Sequence, residues 1–397
     1  MRKALFLGVS MAGAMLSTPV LSNELNVNGF LSVGATMLDD DKASIAGADT
    51  NGGFKNETVL GLQISKQLNP STTATGQLVS RGSDDYDTEA AWAFVTIAPT
   101  DNTDIRMGRL RIPFFQYSDF LEVGYAYNWV RPPAEVYRIP FSSLDGVDFT
   151  HRFSAGSVDG SVQAYYGRYQ GPFRTSTEEY DADFRNFTGL ALTANMGNFG
   201  TRLSYHQAEL LLDTSDPTSV LGGAVGAATA IGAVPEGVNV GTATSTPALN
   251  AFTGVGDASA AEDFSLSGQT SQFIEAALTY DNGDISAVAE WTALQHESSL
   301  FLDDTAWLVA VAKRFGDVTT HLTYTAEKDE FDSGNEGKIQ EQLPLKSEQT
   351  SIIAGVRWDY DSSTAFKFEV QNNDEETSQG AEGDSATLYS VAVDVVF

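Results

Sequence analysis

The chain has 397 residues, and 53 Asp and Glu against 23 Lys and Arg give it a net charge of −30. That balance excludes a nucleic-acid partner and favours cations. With no Cys there is no disulfide framework, metal thiolate or Cys nucleophile.

At the N-terminus, Arg2 and Lys3 precede an apolar run from Ala4 to Leu16, then Pro19 and the small-residue end Val20-Leu21-Ser22. This pattern predicts a signal peptide over 1–22 and a mature chain over 23–397. The run is shorter than the roughly 20 residues that span a bilayer, and no Cys follows it for lipidation. Loss of Arg2 and Lys3 leaves 21 basic against 53 acidic residues, so the mature charge is 21 − 53 = −32.

Sixteen alternating segments follow: 25–37, 56–69, 72–82, 89–100, 104–115, 145–155, 159–171, 184–196, 200–212, 271–281, 284–297, 304–315, 318–330, 348–360, 364–375 and 384–397. Most suit a tilted membrane strand of ~9–11 residues with an overhang. Short links such as Asn69-Pro70, Asn282-Gly283 and Gly316-Asp317 alternate with the longer links 38–55, 83–88, 116–144, 172–183, 213–270, 298–303, 331–347 and 376–383. Strict alternation of short and long links is what an even-stranded barrel with both termini in the periplasm requires. The reading is therefore an all-β, transmembrane antiparallel β-barrel of sixteen strands integral to the bacterial outer membrane.

The faces agree with this. Phe366, Phe368 and Val370 oppose Lys367, Glu369 and Gln371; Ile352, Val356 and Trp358 oppose Arg357 and Asp359; Ile274 and Leu278 oppose Glu275. A charge on the lipid side costs ~2–4 kcal/mol at the midplane, so the polar face is expected to line a wet interior. A soluble antiparallel sheet also alternates, but it explains neither the leader nor the last strand. There Tyr389, Val391, Val393, Val395 and Phe397 share a face, away from Ser390, Ala392 and Asp394. This strand, closed by an aromatic, resembles the signal read by the outer-membrane barrel-assembly machinery, with Phe397 and Tyr389 as the residues that carry it.

Gly108-Arg109-Leu110-Arg111-Ile112-Pro113-Phe114 closes the fifth segment and leads into the third long link. It resembles the G-R-x-x-x-P ending of the fifth strand in Gram-negative trimeric porins, where the third outer loop folds into the barrel and narrows it. The whole segment is also similar to a group of proteobacterial porin-like proteins, some related to phosphate-selective porins. The resemblance implies passive diffusion of ions and small hydrophilic solutes, a homotrimer, and contact with outer-membrane lipids and lipopolysaccharide. The chain departs from the enterobacterial pattern, with Arg131-Pro132-Pro133-Ala134-Glu135-Val136-Tyr137 where a Pro-Glu-Phe-Gly signature stands. Eyelet geometry is therefore not carried over.

Physics points to the same inserted loop. Pro132, Pro133 and Pro140 forbid continuous pairing, and Phe114, Phe115, Phe120, Tyr125, Tyr127, Trp129 and Tyr137 are too aromatic for a solvated tip. Irregular backbone at membrane depth is tolerated where it lines a water-filled lumen. Asp119, Glu122, Glu135 and Asp145 supply carboxylates, and Arg131 and Arg138 pair with some of them. On the wall the candidate cations are Lys66, Arg81, Arg106, Arg109 and Arg111, and Arg106 is out of phase with Arg109 and Arg111. Arg109 and Arg111 are taken as the inward cations, either setting ion preference or fastening the loop. A loop packed at a subunit interface is the other reading of 116–144.

At physiological salt the Debye length is ~8 Å, so distant loop charges count little and a weak cation preference is expected. An anion-specific pore would want a Lys-rich constriction, and Lys is scarce here. Selection of one carboxylate, phosphate or sugar is the alternative. The low-complexity loop 213–270 is a mobile flap or two further strands, making eighteen. Asp39-Asp40-Asp41 and Asp84-Asp85-Tyr86-Asp87 are solvated tips or weak divalent-cation ligands; no complete calcium-loop spacing is present. No metal site or cofactor is expected. His151, His206, His296 and His321 are the only histidines, with no G-x-S-x-G elbow or H-E-x-x-H pair, so an enzyme is not expected. A receptor or adhesin barrel with a plugged lumen is the remaining rival.

Overall fold

A computed structural model describes residues 25–40, 45–174, 179–212, 267–297, 301–333, 337, 340, 347–377 and 385–397. The expected signal peptide and nearly all of the loop 213–270 lie outside them.

The strands are β1 (Asn26–Leu38), β2 (Val59–Asn69), β3 (Thr72–Arg81), β4 (Thr88–Thr100), β5 (Thr103–Arg111), β6 (Ser143–Ala155), β7 (Val158–Arg174) and β8 (Glu179–Met196). After them come β9 (Phe199–Leu212), β10 (Ser267–Asp281), β11 (Ile285–His296), β12 (Asp303–Phe315), β13 (Val318–Glu330), β14 (Ser347–Asp359), β15 (Thr364–Thr377) and β16 (Ser385–Val396). Each pairs antiparallel with its neighbours in sequence, and β16 returns to β1 to close the barrel. The seam runs from Phe30 opposite Val396 to Leu38 opposite Leu388, and Gly29 and Phe397 exchange main-chain hydrogen bonds of 2.7 and 3.0 Å. Because β9 pairs directly with β10, the wall has sixteen strands and no place for eighteen.

The short links behave as turn chemistry dictates. Gly197 (φ 60°) and Gly316 (φ 67°) take the left-handed region, which costs a glycine nothing. Among the boundaries that differ from expectation, two are instructive. The fifth strand stops at Arg111, ahead of Pro113, whose ring nitrogen has no hydrogen for a ladder. The expected loop 172–183 is mostly strand: β7 and β8 stay paired up to Arg174 and Glu179. The hairpin is braced from inside, where Tyr169 stacks on Phe141 with ring centroids 4.4 Å apart and Phe184 lies 4.7 Å from the same ring.

The apolar face turns outward. Leu278, Leu322, Phe199 and Phe315 are all more than half exposed, whereas Glu275, Thr323 and Thr325 are fully buried. A water-soluble fold has the reverse distribution; a barrel in lipid requires this one. Aromatic pairs mark both edges of the band: Phe199 with Tyr280 and Trp358 with Phe366 near the short turns, Trp307 with Tyr324 toward the long loops.

Val309 sits mid-strand on the outward face of β12 and Phe315 at its short-turn end. Val309→Arg should lower stability in vesicles by about 2–4 kcal/mol and Phe315→Arg by about 0–1 kcal/mol. Denaturant midpoints of the refolded barrels check this.

Candidate functional site

Between β5 and β6, residues 112–142 leave the wall and fold into the lumen. This loop has two short 3₁₀ turns, Ser118–Phe120 and Gly124–Ala126. Phe114 and Trp129 are each only 3% exposed and Glu135 only 1%, which settles that the loop is packed inside rather than over the rim.

Aromatic packing holds one side. Phe114 meets Phe187, His206 and Phe273 at ring-centroid distances of 5.9, 5.0 and 5.3 Å, and Phe115 meets Tyr137 at 4.7 Å. The wall answers with inward apolar residues, among them Val288, Ala306, Leu308, Ala310 and Ile353. These were hidden in sequence because both faces of β10–β12 carry apolar residues there, so alternation alone does not show which ones look inward.

Hydrogen bonds hold the rest. Arg357 Nη1 donates to the carbonyls of Tyr125 (2.7 Å) and Tyr127 (2.8 Å). Lys367 Nζ donates to those of Gly124 and Trp129, both at 2.6 Å, and pairs with Asp394 at 2.8 Å. Arg357 and Lys367 stand directly opposite each other on β14 and β15, a repulsive arrangement if left alone. Four loop carbonyls and two carboxylates, Asp394 on Lys367 and Asp359 on Arg357 (2.7 Å), turn this pair of like charges into a clamp. Gly124 approaches the wall so closely that a Cβ there would lie 2.3 Å from Asp394 and 2.6 Å from Ser32. Trp129 Nε1 donates to Thr323 Oγ1 at 2.8 Å, and the Val130 N–H donates to Glu369 at 3.2 Å.

The residues expected at a constriction fall into three groups. Glu122 is gripped by Arg81, with hydrogen bonds of 3.1 and 2.6 Å, and lies 3.7 Å from Arg111. Arg131 forms an ion pair with Glu57, Arg138 with Asp304 and, at 3.5 Å, with Glu327, while Glu135 accepts a hydrogen bond from Ser351. Thus Glu122, Arg131, Glu135, Arg138 and Arg111 all fasten loop to wall. Asp119 differs: it is exposed, on the open side of the loop.

Arg109 stands elsewhere. It lies in register between Ala93 and Asp145, both exposed, and two residues beyond the exposed Met107. This places it on the outer face, where its Nε donates to Ser143 at 3.3 Å. The inward cation in this part of β5 is Arg106, held to Asp148 through Nε at 2.8 Å and Nη2 at 2.6 Å. Asp148 also accepts from Gln163 at 2.5 Å. Phase along β5 had shown that Arg106 and Arg109 oppose each other, but not which of them looks inward. The β5–β6 register decides that.

The histidines are dispersed. His151 is on the outer face, 3.0 Å from Thr103 Oγ1; His206 is buried against Tyr165 at 2.7 Å; His321 is 3.8 Å from Glu369. His296 Nδ1 lies 2.8 Å from Ser271 Oγ, while the nearby carboxylate of Asp303 takes the main-chain N–H of His296. Of the acidic tips, Asp85 pairs with Lys55; this exposed contact holds Asp85 below and Lys55 above their ordinary pKa values, mainly through the shared hydrogen bond. Among the described residues no three of His, Asp and Glu converge as a metal site.

Solved structures share this architecture at low sequence identity. An outer-membrane OmpT of Vibrio cholerae matches with a TM-score of 0.55 at 12% identity over 94% of this chain and 97% of its own. An anion-selective porin of Comamonas acidovorans gives 0.54 at 12%, over 94% and 99%. The outer-membrane channel DcaP of Acinetobacter baumannii gives 0.57 at 10%, over 94% and 97%. No family model and no curated sequence matches the chain.

Lys367→Met should strand Asp394 and two loop carbonyls, lowering stability by about 3–5 kcal/mol and exposing Arg131 and Arg138 to added trypsin. The double variant Lys367→Met/Asp394→Asn should recover part of the loss. Denaturant midpoints and limited proteolysis read both effects; equal midpoints for parent and single variant would mean that aromatic packing alone holds the loop.

Proposed function

We propose that this chain is an outer-membrane porin through which ions and small hydrophilic solutes diffuse passively, with a weak preference for cations. The observation that carries the reading is a closed sixteen-stranded barrel with a polar interior and a long loop folded inside it. A barrel of sixteen strands is wide enough to hold an aqueous channel. The loop packs its dry side on β7–β14 and leaves Asp119 exposed. The path for solutes in this reading runs between that open side and the inner faces of β2–β7, where Gln63, Gln77, Arg106, Asp148 and Gln163 form a hydrogen-bonded polar wall. Asp119 lies within Coulombic range of Arg106. Arg106 is held in a two-bond pair with Asp148, so in this reading the exposed carboxylate of Asp119 sets the field that solutes meet there.

Weak cation preference follows from two facts. The chain carries −30 overall, which raises the cation concentration at the mouth, yet most interior charges are paired and cancel at short range. The Comamonas neighbour is described as anion-selective, so the fold leaves the sign to local residues. Export by residues 1–22, insertion guided by Tyr389 and Phe397, and assembly as a homotrimer belong to the same proposal; one OmpT neighbour is described in a trimer form.

A second reading has its own support. The loop reaches Glu57, Arg81, Arg202, Asp304 and Lys367, on every side of the lumen. A barrel so crossed suits a plugged receptor or adhesin, or a pore narrow enough to select one solute class.

Planar-bilayer recordings of the unboiled protein decide between them. The porin reading expects discrete conductance steps and a modest cation-favouring reversal potential in a salt gradient. Asp119→Asn should move that potential toward zero and Arg106→Gln away from it. An absence of steps from folded barrels would select the plugged reading, and a strongly anion-favouring potential would select a solute-specific one.

A further inference from the structure

Beneath the start of the inserted loop, three wall strands bring polar residues into one dry space. Arg202, Ser204 and His206 face inward from β9, Glu275 from β10, and Glu290 and Thr292 from β11. Ser204, Glu275 and Thr292 stand in one register row; Arg202 and Glu290 flank Ala277 in the next. The loop roofs this space. Arg202 Nη2 donates to the Pro113 carbonyl and Ser204 Oγ to that of Phe114 at 3.0 Å. The Gln116 N–H, at 2.9 Å, and the Tyr137 hydroxyl donate to Glu290. The rings of Phe114 and Phe273 adjoin it, 5.3 Å apart. Glu275 and Thr292 are fully buried and Glu290 is 2% exposed.

Charge does not balance there. Among the described residues, Arg202 and Glu290 are the charged groups within Coulombic range of Glu275. One guanidinium against two carboxylates leaves 1 − 2 = −1. Arg202 Nε lies 3.3 Å from Glu275 Oε2, an ion pair without hydrogen-bond geometry, and it offsets one carboxylate only. His206 adds no charge. Its Nδ1 is 2.7 Å from the Tyr165 hydroxyl, and an imidazolium would bury a second N–H, at Nε2, with nothing to accept it. Donors reach Glu290 but not its neighbour: both oxygens of Glu275 and Oγ1 of Thr292, directly opposite, have no hydrogen-bond partner in the protein. A buried carboxylate without donors is among the most costly groups in a fold.

A water molecule bonds such oxygens but brings no charge. A proton cancels the charge but joins two of the three oxygens at most. A metal cation does both, since hard cations take several oxygens at once, and a divalent one would overshoot the balance. We propose that Glu275 and Thr292 bind a monovalent cation of sodium size beneath the loop. Directly opposite strand residues have Cβ atoms about 4.5–5.5 Å apart, so the carboxylate and the hydroxyl converge within reach of one small ion. Ser204 Oγ, whose proton goes to Phe114, stands on the other side of Glu275 as a further oxygen. With Arg202 the ion neutralises both carboxylates, while Glu290 and Ser204 hold Gln116 and Phe114 of the loop. Occupancy of the site therefore sets how firmly the loop is seated. The proposal rests on the loop's place in the lumen and not on conduction.

The test uses the folded full chain in detergent at fixed pH and ionic strength, with sodium chloride exchanged for N-methylglucamine chloride. Trypsin cleavage after Arg138 reads the loosened loop, and sodium NMR line broadening reads the ion. At about ten times its dissociation constant, sodium should lower the loosened fraction, and with it the cleavage rate, by about tenfold. Glu275→Gln removes the charge; it should be cleaved at one rate in both salts and give no broadening beyond that of detergent alone. Thr292→Val keeps the charge and loses one oxygen; it should need at least about tenfold more sodium for the same protection. Unboiled gel mobility verifies that each variant is folded. Equal cleavage of the parent in the two salts overturns the proposal and leaves water or a proton in the space. Sodium broadening or protection that persists in Glu275→Gln also overturns it, as does calcium protecting better than sodium at equal ionic strength. Conductance stands apart: a parent that binds sodium but never conducts would end the porin reading alone, and one that conducts without sodium-dependent cleavage would end this proposal alone.

Discussion

Hydrocarbon offers no partner to a peptide N–H or C=O, and everything else in this molecule depends on that. Each unsatisfied group would cost several kcal/mol, so a chain that crosses lipid as strands must join its first strand to its last. Here that junction is the pairing of Asn26–Leu38 with Ser385–Val396, completed by Gly29 and Phe397. Closure removes the edges, and with the edges gone each strand has one face for lipid and one for the lumen. The polar residues then have only the lumen to face.

A polar lumen solves one problem and raises another, because inward charges in a narrow space must find partners. Arg357 and Lys367, side by side on neighbouring strands, would repel if water did not fill the space or if nothing else reached them. Loop carbonyls from Gly124 to Trp129 fill that need. The loop in turn has its own unpaired backbone groups, since its prolines and 3₁₀ turns leave no ladder to complete. Wall and loop satisfy each other, which is why an irregular segment can sit at membrane depth. The aromatic side of the loop adds burial on β7–β14, and together the two contacts fix its tilt.

Packing on one side makes the interior unequal. One half is dry and filled by Phe114, Trp129, Tyr137 and their wall partners, while the other keeps Asp119 and the Arg106–Asp148 pair in a polar setting. Outside, the strands that carry this asymmetry turn apolar residues to lipid, so that β5–β11 serve two media through alternate residues of one sequence.

Much of this was legible in the chain. Strand number, the sorting of short and long links, and the opposition of Phe366 and Phe368 to Lys367 and Glu369 all follow from period two and from turn residues, which are properties of neighbours in sequence. The inward course of the third loop was legible too, from its prolines and aromatics. The partner of each charge was not. Glu122 meets Arg81 across 41 residues and Gly124 meets Lys367 across 243, separations over which alternation carries no information. Arg106 and Arg109 show the limit most plainly. Sequence alone put them on opposite faces, because neighbouring side chains in a strand must alternate. Only the closed barrel, through the register of β5 against β6, gave Arg106 the lumen and Arg109 the outside.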